Sequence, residues 1–289
     1  MNLYNETIQL MKKYHIHANK NLGQNFLIDE NVVNKIIENS NINKSDLIVE
    51  IGPGLGTLTN ELVKVAKKVI AIELDLKMAN ILKSRFSNDK NIEIIHGDVL
   101  KLDLNHLIEA SFNTGTFKSV KVVANLPYYI TTPIIMKLLE DVAGIQSIIV
   151  MVQKEVADRL VAAPGDRLSG AITYAIHYYS NPEILINVSN DSFIPVPEVE
   201  SSVIVLNVLT EPSINVTDKQ LFFKIIKQAF SQRRKTLINA LSGFEGLGKS
   251  DVTSMLEKLH IDAKIRGEKL TMEDYRKITE YILDKTLNL

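Results

Sequence analysis

The first half of the chain alternates short apolar runs with stretches of helical periodicity. Five runs rich in isoleucine and valine are nearly continuously apolar, as expected for strands that are buried on both faces of a sheet. They are DLIVEIG (46–52), KVIAIEL (68–74), IEIIHGD (92–98), KVVANL (121–126) and SIIVMVQ (147–153). Helical patterns lie between them, for example over 57–66 and 76–86. This alternation predicts a parallel sheet with helices on both faces.

The pattern changes twice further along the chain. The apolar runs 183–189 and 201–208 are separated by the turn-rich segment NDSFIPVPEVE, which predicts an antiparallel addition at the sheet edge. Near residue 210 the segment LTEPSINVTDK has turn formers and no periodicity, so we place a domain boundary there. The segments after it are helical in period: 219–230, 233–242, 250–259 and 272–284. The predicted fold is α/β, with a domain over 1–209 that includes a helical arm (1–45), followed by a smaller all-helical domain over 210–289.

Composition narrows the class of protein. The chain has 289 residues with 45% hydrophobic content, enough for one large and one smaller domain. It contains no cysteine, which excludes disulfides and thiolate metal sites. No apolar run approaches the roughly 18 residues that span a bilayer, and the first 20 residues lack the apolar core of a secretory signal. We therefore expect a soluble cytoplasmic protein with no membrane association and no metal.

Charge is distributed unevenly along the chain. The net charge is −1, but residues 219–289 carry 14 Lys and Arg against 9 Asp and Glu, whereas residues 46–218 carry 14 against 21. A locally basic region is typical of nucleic-acid binding. Ordinary helical surface lysines would produce the same imbalance, so charge alone leaves the question open.

A glycine-rich turn follows the first of the predicted sheet strands. In VEIGPGLGTLT (49–59), Gly52, Gly54 and Gly56 permit a sharp turn and the close approach of a ligand. Thr57 stands where a dinucleotide fingerprint requires its third glycine, and Pro53 lacks an N–H that a pyrophosphate would use. The spacing disfavours NAD and FAD. Taken alone, the glycines are equally consistent with a structural turn.

Acidic residues end the next two strands. Glu73 could accept two hydrogen bonds from a ribose diol, and Asp98 could accept one from an adenine amino group, with Val99 against a face of the ring. Each could also be a solvated acid at the end of a strand. Because the carboxyl ends of parallel strands meet at one edge of a sheet, the two acids and the glycine turn outline one nucleoside site.

The fourth strand ends on Asn125-Leu126-Pro127-Tyr128, an unusual sequence for a strand end. The lone pair of an adenine N6 is delocalised into the ring, so the group is a poor nucleophile. Accepting its hydrogens from the Asn125 amide oxygen and the Leu126 carbonyl would free the lone pair. Pro127 fixes the chain and offers no donor, and Tyr128 could stack on the base. A cis-proline or tight turn is the structural alternative.

With these residues in place, the sequence closely resembles the bacterial small-subunit ribosomal RNA adenine N6,N6-dimethyltransferase A family. The matching segments span almost the whole chain. They are NLGQNFL (21–27), EIGPGLGTLT, IELD, GDVL, NLPYYITTPI, MVQKEVADRL, FIPVPEVESSV, AFSQRRKTLINAL and RGEKLTMEDYRKI. One departure is NKNLGQ, where many relatives carry more basic residues, which puts RNA contacts at the N-terminal arm in doubt.

The resemblance implies a Rossmann-like methyltransferase fold that uses S-adenosylmethionine to methylate small-subunit rRNA. It implies that N6 attacks the sulfonium methyl group directly, and that the base leaves its stack to reach the pocket. The implied partner is small-subunit rRNA within an immature 30S particle, and the enzyme is expected to be a monomer. The expected cofactor contacts are Gln24, Asn25, Leu27, Gly52, Gly54, Glu73, Asp98, Val99 and Asn125. The expected catalytic residues are Asn125, Leu126, Pro127 and Tyr128, with Phe193 against the target base opposite Tyr128. The expected RNA contacts are Arg233, Arg234, Lys235, Lys264, Arg266 and Lys269.

Other functions remain open at this point. The large-subunit rRNA adenine methyltransferases of the macrolide-resistance type share motifs similar to QNFL and NLPY, although RGEKLTMEDYRKI favours the small-subunit family. A non-catalytic RNA-binding assembly factor could use the same fold, but intact Glu73, Asp98 and Asn125 argue against it. An NAD-dependent dehydrogenase fails on the spacing from Gly52 to Thr57.

Overall fold

A seven-stranded sheet organises the first part of the chain. The computed structural model describes residues 2–19 and 23–287; the predicted motif NLGQNFL thus lies partly outside the described residues, at positions 21 and 22. The helices and strands up to residue 153 are α1 (Leu3–Lys13), β1 (Phe26–Leu27), α2 (Glu30–Asn39), β2 (Asp46–Ile51), α3 (Thr57–Val65), β3 (Lys68–Glu73), α4 (Leu76–Arg85), β4 (Ile92–His96), α5 (Leu104–Thr114), β5 (Ser119–Asn125), α6 (Thr131–Glu140) and β6 (Ile145–Gln153).

The second part of the chain completes the sheet and then becomes helical. Its elements are α7 (Lys154–Val161), α8 (Ala171–Tyr179), β7 (Ser180–Val188), β8 (Phe193–Ile194), β9 (Ser201–Val208), α9 (Lys219–Ser231), α10 (Leu237–Leu241), α11 (Lys249–Lys258) and α12 (Met272–Leu287). The predicted helix 233–242 is wrong at its start. A turn in which the Lys235 N–H donates to Gln232 O separates α9 from α10. Thr236, the residue just before α10, has an extended backbone.

The strand order is β4-β3-β2-β5-β6-β9-β7. The five neighbouring strands β4, β3, β2, β5 and β6 are parallel, and β9 pairs antiparallel with β6. The predicted parallel sheet with an antiparallel edge is therefore confirmed. Strand β2 is buried along its whole length, and β6 is buried except at Gln146 and Gln153, which explains why these sequences are nearly continuously apolar instead of alternating.

The register places the ends of the central strands side by side. Ile51 pairs with both Ile72 and Ala124, and Glu73 pairs with His96. Consequently the glycine turn after β2, Glu73 at the end of β3 and Asn125 at the end of β5 share one edge of the sheet. A separate two-stranded pairing of β1 with β8 joins Leu27 to Phe193; two residues per strand were too short for the hydrophobic pattern to predict.

The chain forms two compact units. The first contains Met1–Ala157 and Pro182–Val208, and the second contains Asp158–Asn181 and Leu209–Leu289. The sequence-based division at 209/210 differs from these units over 158–181. The physical reason is the ring of Tyr174 in α8, which packs edge-on against Tyr275 at 5.1 Å and belongs to the helical core with Phe222 and Leu270.

Each unit has its own apolar core. In the first unit, α2, α3 and the sheet enclose a cluster that includes Ile48, Leu62, Val123 and Phe193. In the second unit, the cluster includes Phe222, Met255 and Tyr275. Among the described helices, none has the length and apolar content to cross a membrane. Over the same residues, no group of three or more His, Asp or Glu side chains could hold a metal ion.

Candidate functional site

A cavity opens where the carboxyl ends of the sheet strands meet in the first unit. It encloses about 1070 Å³, including the part that is open to solvent. Its walls come from the loop before β1, the glycine turn, and the segments that follow β3, β4 and β5. Of the predicted site residues, it brings together Gln24, Asn25, Leu27, Gly52, Gly54, Glu73, Asp98, Val99, Asn125, Leu126, Pro127 and Tyr128.

Glu73 and the glycine turn hold each other in place. The Gly54 N–H donates to Glu73 Oε2 at 3.0 Å, and the Asp75 N–H donates to Glu73 Oε1 at 2.8 Å. Gly52 and Gly54 both adopt positive φ, of 68° and 57°, so the turn needs glycine there. Each carboxylate oxygen retains a second acceptor site, which the cavity can offer to paired hydroxyl groups. Burial raises the pKa of Glu73, although hydrogen bonds from the N–H groups of Asp75, Gly54 and Leu74 oppose the shift.

Arg85 braces the same turn from outside the cavity. Its guanidinium donates to the Leu55 carbonyl and, at 2.8 Å, to Glu6 Oε1 in α1. The N-terminal helix is thereby linked to the glycine turn through one side chain. Sequence analysis did not identify Arg85, since its position on α4 gives no signal of this contact.

Glu50 is a buried carboxyl that sequence analysis also missed. It lies one residue before the end of β2, lines the cavity and accepts a hydrogen bond from Thr59 Oγ1 at 2.6 Å. Burial raises its pKa to about 8; the Thr59 hydroxyl opposes the shift and the charge of Glu73 adds to it. An acidic residue inside an otherwise apolar buried strand was the available signal.

This pKa makes the stability of the protein dependent on pH. In the unfolded chain Glu50 ionises near pH 4.5, whereas in the folded protein it keeps its proton up to about pH 8. The folded state binds more protons in that window, so stability falls as pH rises through it. Glu50→Gln removes this loss while keeping an acceptor for Thr59. We expect its melting temperature, relative to wild type, to rise steadily from pH 4.5 to about pH 8 in thermal unfolding. A pH-independent difference would contradict the assignment.

Asp98 and Val99 form the wall beyond β4. Asp98 lies two residues after the strand, where one carboxylate oxygen accepts the Leu100 N–H at 3.0 Å and the other lies 3.8 Å from Lys101 Nζ. Val99 is buried against the cavity. His96, at the end of β4, is 3.1 Å from Leu74 O through its Nε2 and has a structural role. The turn thus presents one polar and one apolar group to a ligand.

The loop before β1 forms the opposite wall. Gln24 Oε1 accepts the Asn19 N–H at 2.9 Å. This contact orients the amide and leaves its nitrogen free to donate to a ligand. Asn25 Nδ2 donates to Gly23 O at 3.3 Å. Leu27, in β1, contributes a buried apolar surface. The basic-poor stretch ahead of Gln24 lies partly outside the described residues.

Asn125 is oriented by its own amide group. Its Nδ2 donates to the Asn25 carbonyl at 3.2 Å. Because a carbonyl can only accept, the nitrogen must face Asn25, and the amide oxygen is left for the cavity. The next peptide is fixed as well, since the Leu126 N–H donates to Met151 O at 3.2 Å. The strand end therefore presents an oriented acceptor where the sequence predicted one.

Two tyrosines follow on a short 3-10 turn, Tyr128–Ile130. Tyr128 is half-buried, its hydroxyl lies 2.8 Å from the buried Ser201 Oγ, and burial raises its pKa. Tyr129 is exposed at the cavity mouth and approaches Gly23, where an added Cβ would lie 3.5 Å from the ring. The sequence singled out Tyr128 and passed over Ser201, which holds its ring from 73 residues away.

Phe193 lies in the core and not in the cavity walls. Only 1% of the residue is exposed, it is absent from the cavity walls, and it packs in the core of the first unit. The stacking of Phe193 on a target base therefore stays a prediction, and it would require the ring to become accessible. The β1–β8 pairing pulls Phe193 inward, beside Leu27. The flanking prolines in FIPVP suggested an exposed wall, and the exposed large apolar residues of that loop are Val196 and Val199.

The six predicted RNA contacts all lie on the second unit, and all are exposed. They lie on two backbone segments, 233–235 and 264–269, and the Leu237 N–H joins the two by donating to Ile265 O at 2.8 Å. Arg233 also has a structural contact, since its Nη2 donates to Ser169 O at 3.0 Å. We refer to these residues as the basic surface: Arg233, Arg234, Lys235, Lys264, Arg266 and Lys269.

The chain is similar to known proteins in both sequence and structure. The sequence profile of the family described as "Ribosomal RNA adenine dimethylase" matches residues 15–284. Among curated relatives, "Ribosomal RNA small subunit methyltransferase A" of Alkaliphilus oremlandii is 48% identical over 93% of each chain. The protein of the same description from Clostridioides difficile is 45% identical over 98% of this chain and 96% of its own.

Solved structures are similar as well. A dimethyladenosine transferase from Plasmodium falciparum has a TM-score of 0.74 and 27% identity, over 90% of this chain and 98% of its own. The 23S rRNA methyltransferase ErmE has a TM-score of 0.67 and 23% identity, over 89% of this chain and 98% of its own. At that identity ErmE shows the fold alone. The predicted Rossmann-like sheet with a helical C-terminal part is confirmed.

Proposed function

Because this chain belongs to the ribosomal RNA adenine dimethylase family, we propose that it dimethylates the N6 amino groups of two adjacent adenosines. These would lie in a loop near the 3′ end of small-subunit rRNA, and the methyl donor is S-adenosylmethionine. The observation that carries the proposal is a single cavity with the Glu73 carboxylate in one wall and the oriented Asn125 amide in another. The relatives described as small-subunit methyltransferases support the choice of rRNA.

The cavity residues fit this cofactor. Glu73 offers two adjacent acceptor oxygens for a ribose diol, and Asp98 with Val99 offers a polar and an apolar group for a purine. Gly52 leaves room beside the Asn125 carbonyl, because an added Cβ would lie 3.7 Å from that oxygen. Gln24 and Asn25 would hold the polar methionine end. When bound, S-adenosylmethionine supplies an electrophilic methyl group.

The chain's own contribution is to position and activate the amino group. The Asn125 amide oxygen and the Leu126 carbonyl would accept the two N6 hydrogens, which draws the nitrogen toward tetrahedral geometry and frees its lone pair. Pro127 adds no competing donor. No strong general base is needed, because the methylated aminium is acidic and loses its proton readily. These are fixed acceptors, so little reorganisation is required during the reaction.

Tyr128 would stack on the target base, which must leave its own stack to enter the cavity. The Tyr128 hydroxyl is committed to Ser201 instead of the cavity. We therefore expect Tyr128→Phe to retain most methyl-transfer activity while losing about 1 kcal/mol of folding free energy, the usual cost of one hydrogen bond. Tyr128→Ala should lose activity. Single-turnover rates and denaturant unfolding check both statements; a Phe variant as inactive as the Ala variant would give the hydroxyl a role in catalysis.

Glu73→Ala should weaken S-adenosylmethionine binding by roughly 1–3 kcal/mol, because buried ribose hydroxyls would lose their acceptor. Isothermal calorimetry measures this directly. Since Glu73 also accepts the Gly54 N–H, thermal unfolding of the free variant is the control for damage to the turn. Unchanged affinity in a folded variant would contradict the ribose assignment.

The physiological substrate is proposed to be rRNA within an immature 30S particle, acted on by a monomer in the cytoplasm. The second unit supplies the basic surface that would hold the RNA backbone, which is recognised mainly through shape and single-stranded bases. The charge asymmetry of the sequence supports this placement.

One experiment tests the proposed function. Small-subunit and large-subunit rRNA, and immature small-subunit particles, are taken from cells that lack the enzyme and incubated with the protein and S-adenosylmethionine. Mapping of the modified bases should find dimethyladenosine at two adjacent positions near the 3′ end of small-subunit rRNA. Modification of large-subunit rRNA alone would favour the macrolide-resistance type of activity, and cofactor binding without any methylation would favour an assembly factor.

A further inference from the structure

An exposed loop of the second unit stands beside the basic surface and carries a cation and a leucine. It comprises residues 165–169, and both Arg167 and Leu168 are exposed. Leu168 is 58% exposed, an unusually open position for a large apolar side chain. A single exposed leucine needs no explanation by itself. Its surroundings are what distinguish this one.

Several contacts fix the loop to the segment that carries Arg266 and Lys269. The Gly165 N–H donates to the Tyr174 hydroxyl at 3.2 Å, and that hydroxyl donates to Leu270 O at 2.5 Å. Ser169 Oγ lies 3.2 Å from Glu268 O, within hydrogen-bond reach. The backbone of the loop is thus held in place, and its tip residues are displayed to solvent rather than buried.

A further contact fixes the loop to the other basic segment. Arg233 Nη2 donates to the Ser169 carbonyl at 3.0 Å. Leu168 immediately precedes Ser169 in the chain, so the leucine is one residue away from the carbonyl that holds a cation proposed to contact phosphate. Within the described residues, neither Arg167 nor any residue of the basic surface forms a salt bridge, and their charges remain available to a partner.

We propose that Arg167 and Leu168 extend the basic surface into a mixed RNA-binding site, in which Arg167 contacts a phosphate and Leu168 packs on an unstacked base or a ribose. The proposal rests on the proposed function in requiring an RNA partner. Proteins that bind deformed nucleic acid combine cations with apolar side chains that contact bases. A surface that bound phosphates by charge alone would not require an exposed leucine. The charge of the surroundings selects RNA over a protein partner with an apolar face.

The two residues should have different signatures in RNA binding. The test measures affinity for a transcript of the 3′-terminal region of small-subunit rRNA at several salt concentrations. Leu168→Ala should weaken RNA binding about three- to tenfold, because about half of the apolar contact of a leucine side chain would be lost. The slope of log K against log salt should not change. Arg167→Ala should reduce the slope of log K against log salt by about one unit, because one phosphate contact is lost. Neither change should alter S-adenosylmethionine affinity.

Leu76→Ala is the matched control for the leucine. Leu76 is 56% exposed on α4 in the first unit, outside the cavity walls, and its truncation should leave RNA affinity unchanged. Equal losses for Leu76→Ala and Leu168→Ala would overturn the proposal, as would wild-type affinity in both Leu168→Ala and Arg167→Ala. A loss for Leu168→Ala that appears with immature particles and not with the transcript would also overturn it, since a ribosomal protein would then be the contact.

Failure of the proposed Arg167 and Leu168 site can be told apart from failure of the proposed function. If variants of Arg234 and Lys235 lose RNA affinity while those of Arg167 and Leu168 do not, only the extended site is rejected. If none of these variants affects RNA binding, the second unit does not hold the RNA, and the wider proposal loses its support.

Discussion

Asn125→Ala should lower the rate of methyl transfer roughly a hundredfold, as expected when one oriented hydrogen-bonding group is removed from a reacting centre. RNA affinity should change far less. The Asn125 amide nitrogen is held by Asn25 O at 3.2 Å, so its oxygen is the group available to the N6 hydrogens. That interaction strengthens as the nitrogen becomes tetrahedral, and interactions of this kind are expressed in the chemical step. Single-turnover rates with saturating RNA and cofactor measure the effect.

Asn125→Asp provides the informative comparison. It keeps acceptor oxygens at the same position but loses the donor to the Asn25 carbonyl, so the group is no longer oriented. We expect a rate between those of wild type and Asn125→Ala. Cofactor affinity is measured in parallel, because the Asn125 backbone also borders Gly52. Rates within a factor of about two of wild type for the alanine variant would reject the role of this residue.

Most of the residues that line the cavity could be predicted from the sequence, because the parallel sheet fixes where the strand ends lie. The ends of parallel strands share one edge, so Gly52, Glu73 and Asn125 are brought together once their strands are recognised. Each marks the end of an apolar run. No precise side-chain geometry is needed for that inference, only strand order and polarity.

Other features of the site depend on contacts that no local pattern reveals. Phe193 is drawn into the core by a two-residue strand pairing with Leu27, and a signal that short carries no periodicity. Ser201 fixes Tyr128 across a long separation in the chain. Residues 158–181 join the helical unit because Tyr174 packs on Tyr275, although the change of pattern that marked a boundary in the sequence comes near residue 210. Long-range packing overrides local preference in each case.

The basic surface should produce the second large effect. Replacing Arg233, Arg234 and Lys235 together with alanine should weaken RNA binding and reduce the slope of log K against log salt by about 2–3 units, since three phosphate contacts would be lost. Cofactor affinity should remain at the wild-type value, because the cavity belongs to the first unit. RNA affinity at several salt concentrations, with calorimetry for the cofactor, provides the measurement.

The structure separates the electrostatic role of these residues from a structural one. Arg233 donates to the Ser169 carbonyl, so its loss should also lower the melting temperature. Arg234 and Lys235 are exposed, and neither side chain forms a hydrogen bond or salt bridge within the described residues. The double variant Arg234→Ala/Lys235→Ala should therefore reduce the slope of log K against log salt and leave the melting temperature unchanged. Lys83→Ala/Lys90→Ala, which removes the same charge from exposed positions of the first unit, should preserve the slope. If the triple variant lowered the melting temperature and left the slope unchanged, RNA recognition would have to lie elsewhere, with Lys264, Arg266 and Lys269 the next residues to replace.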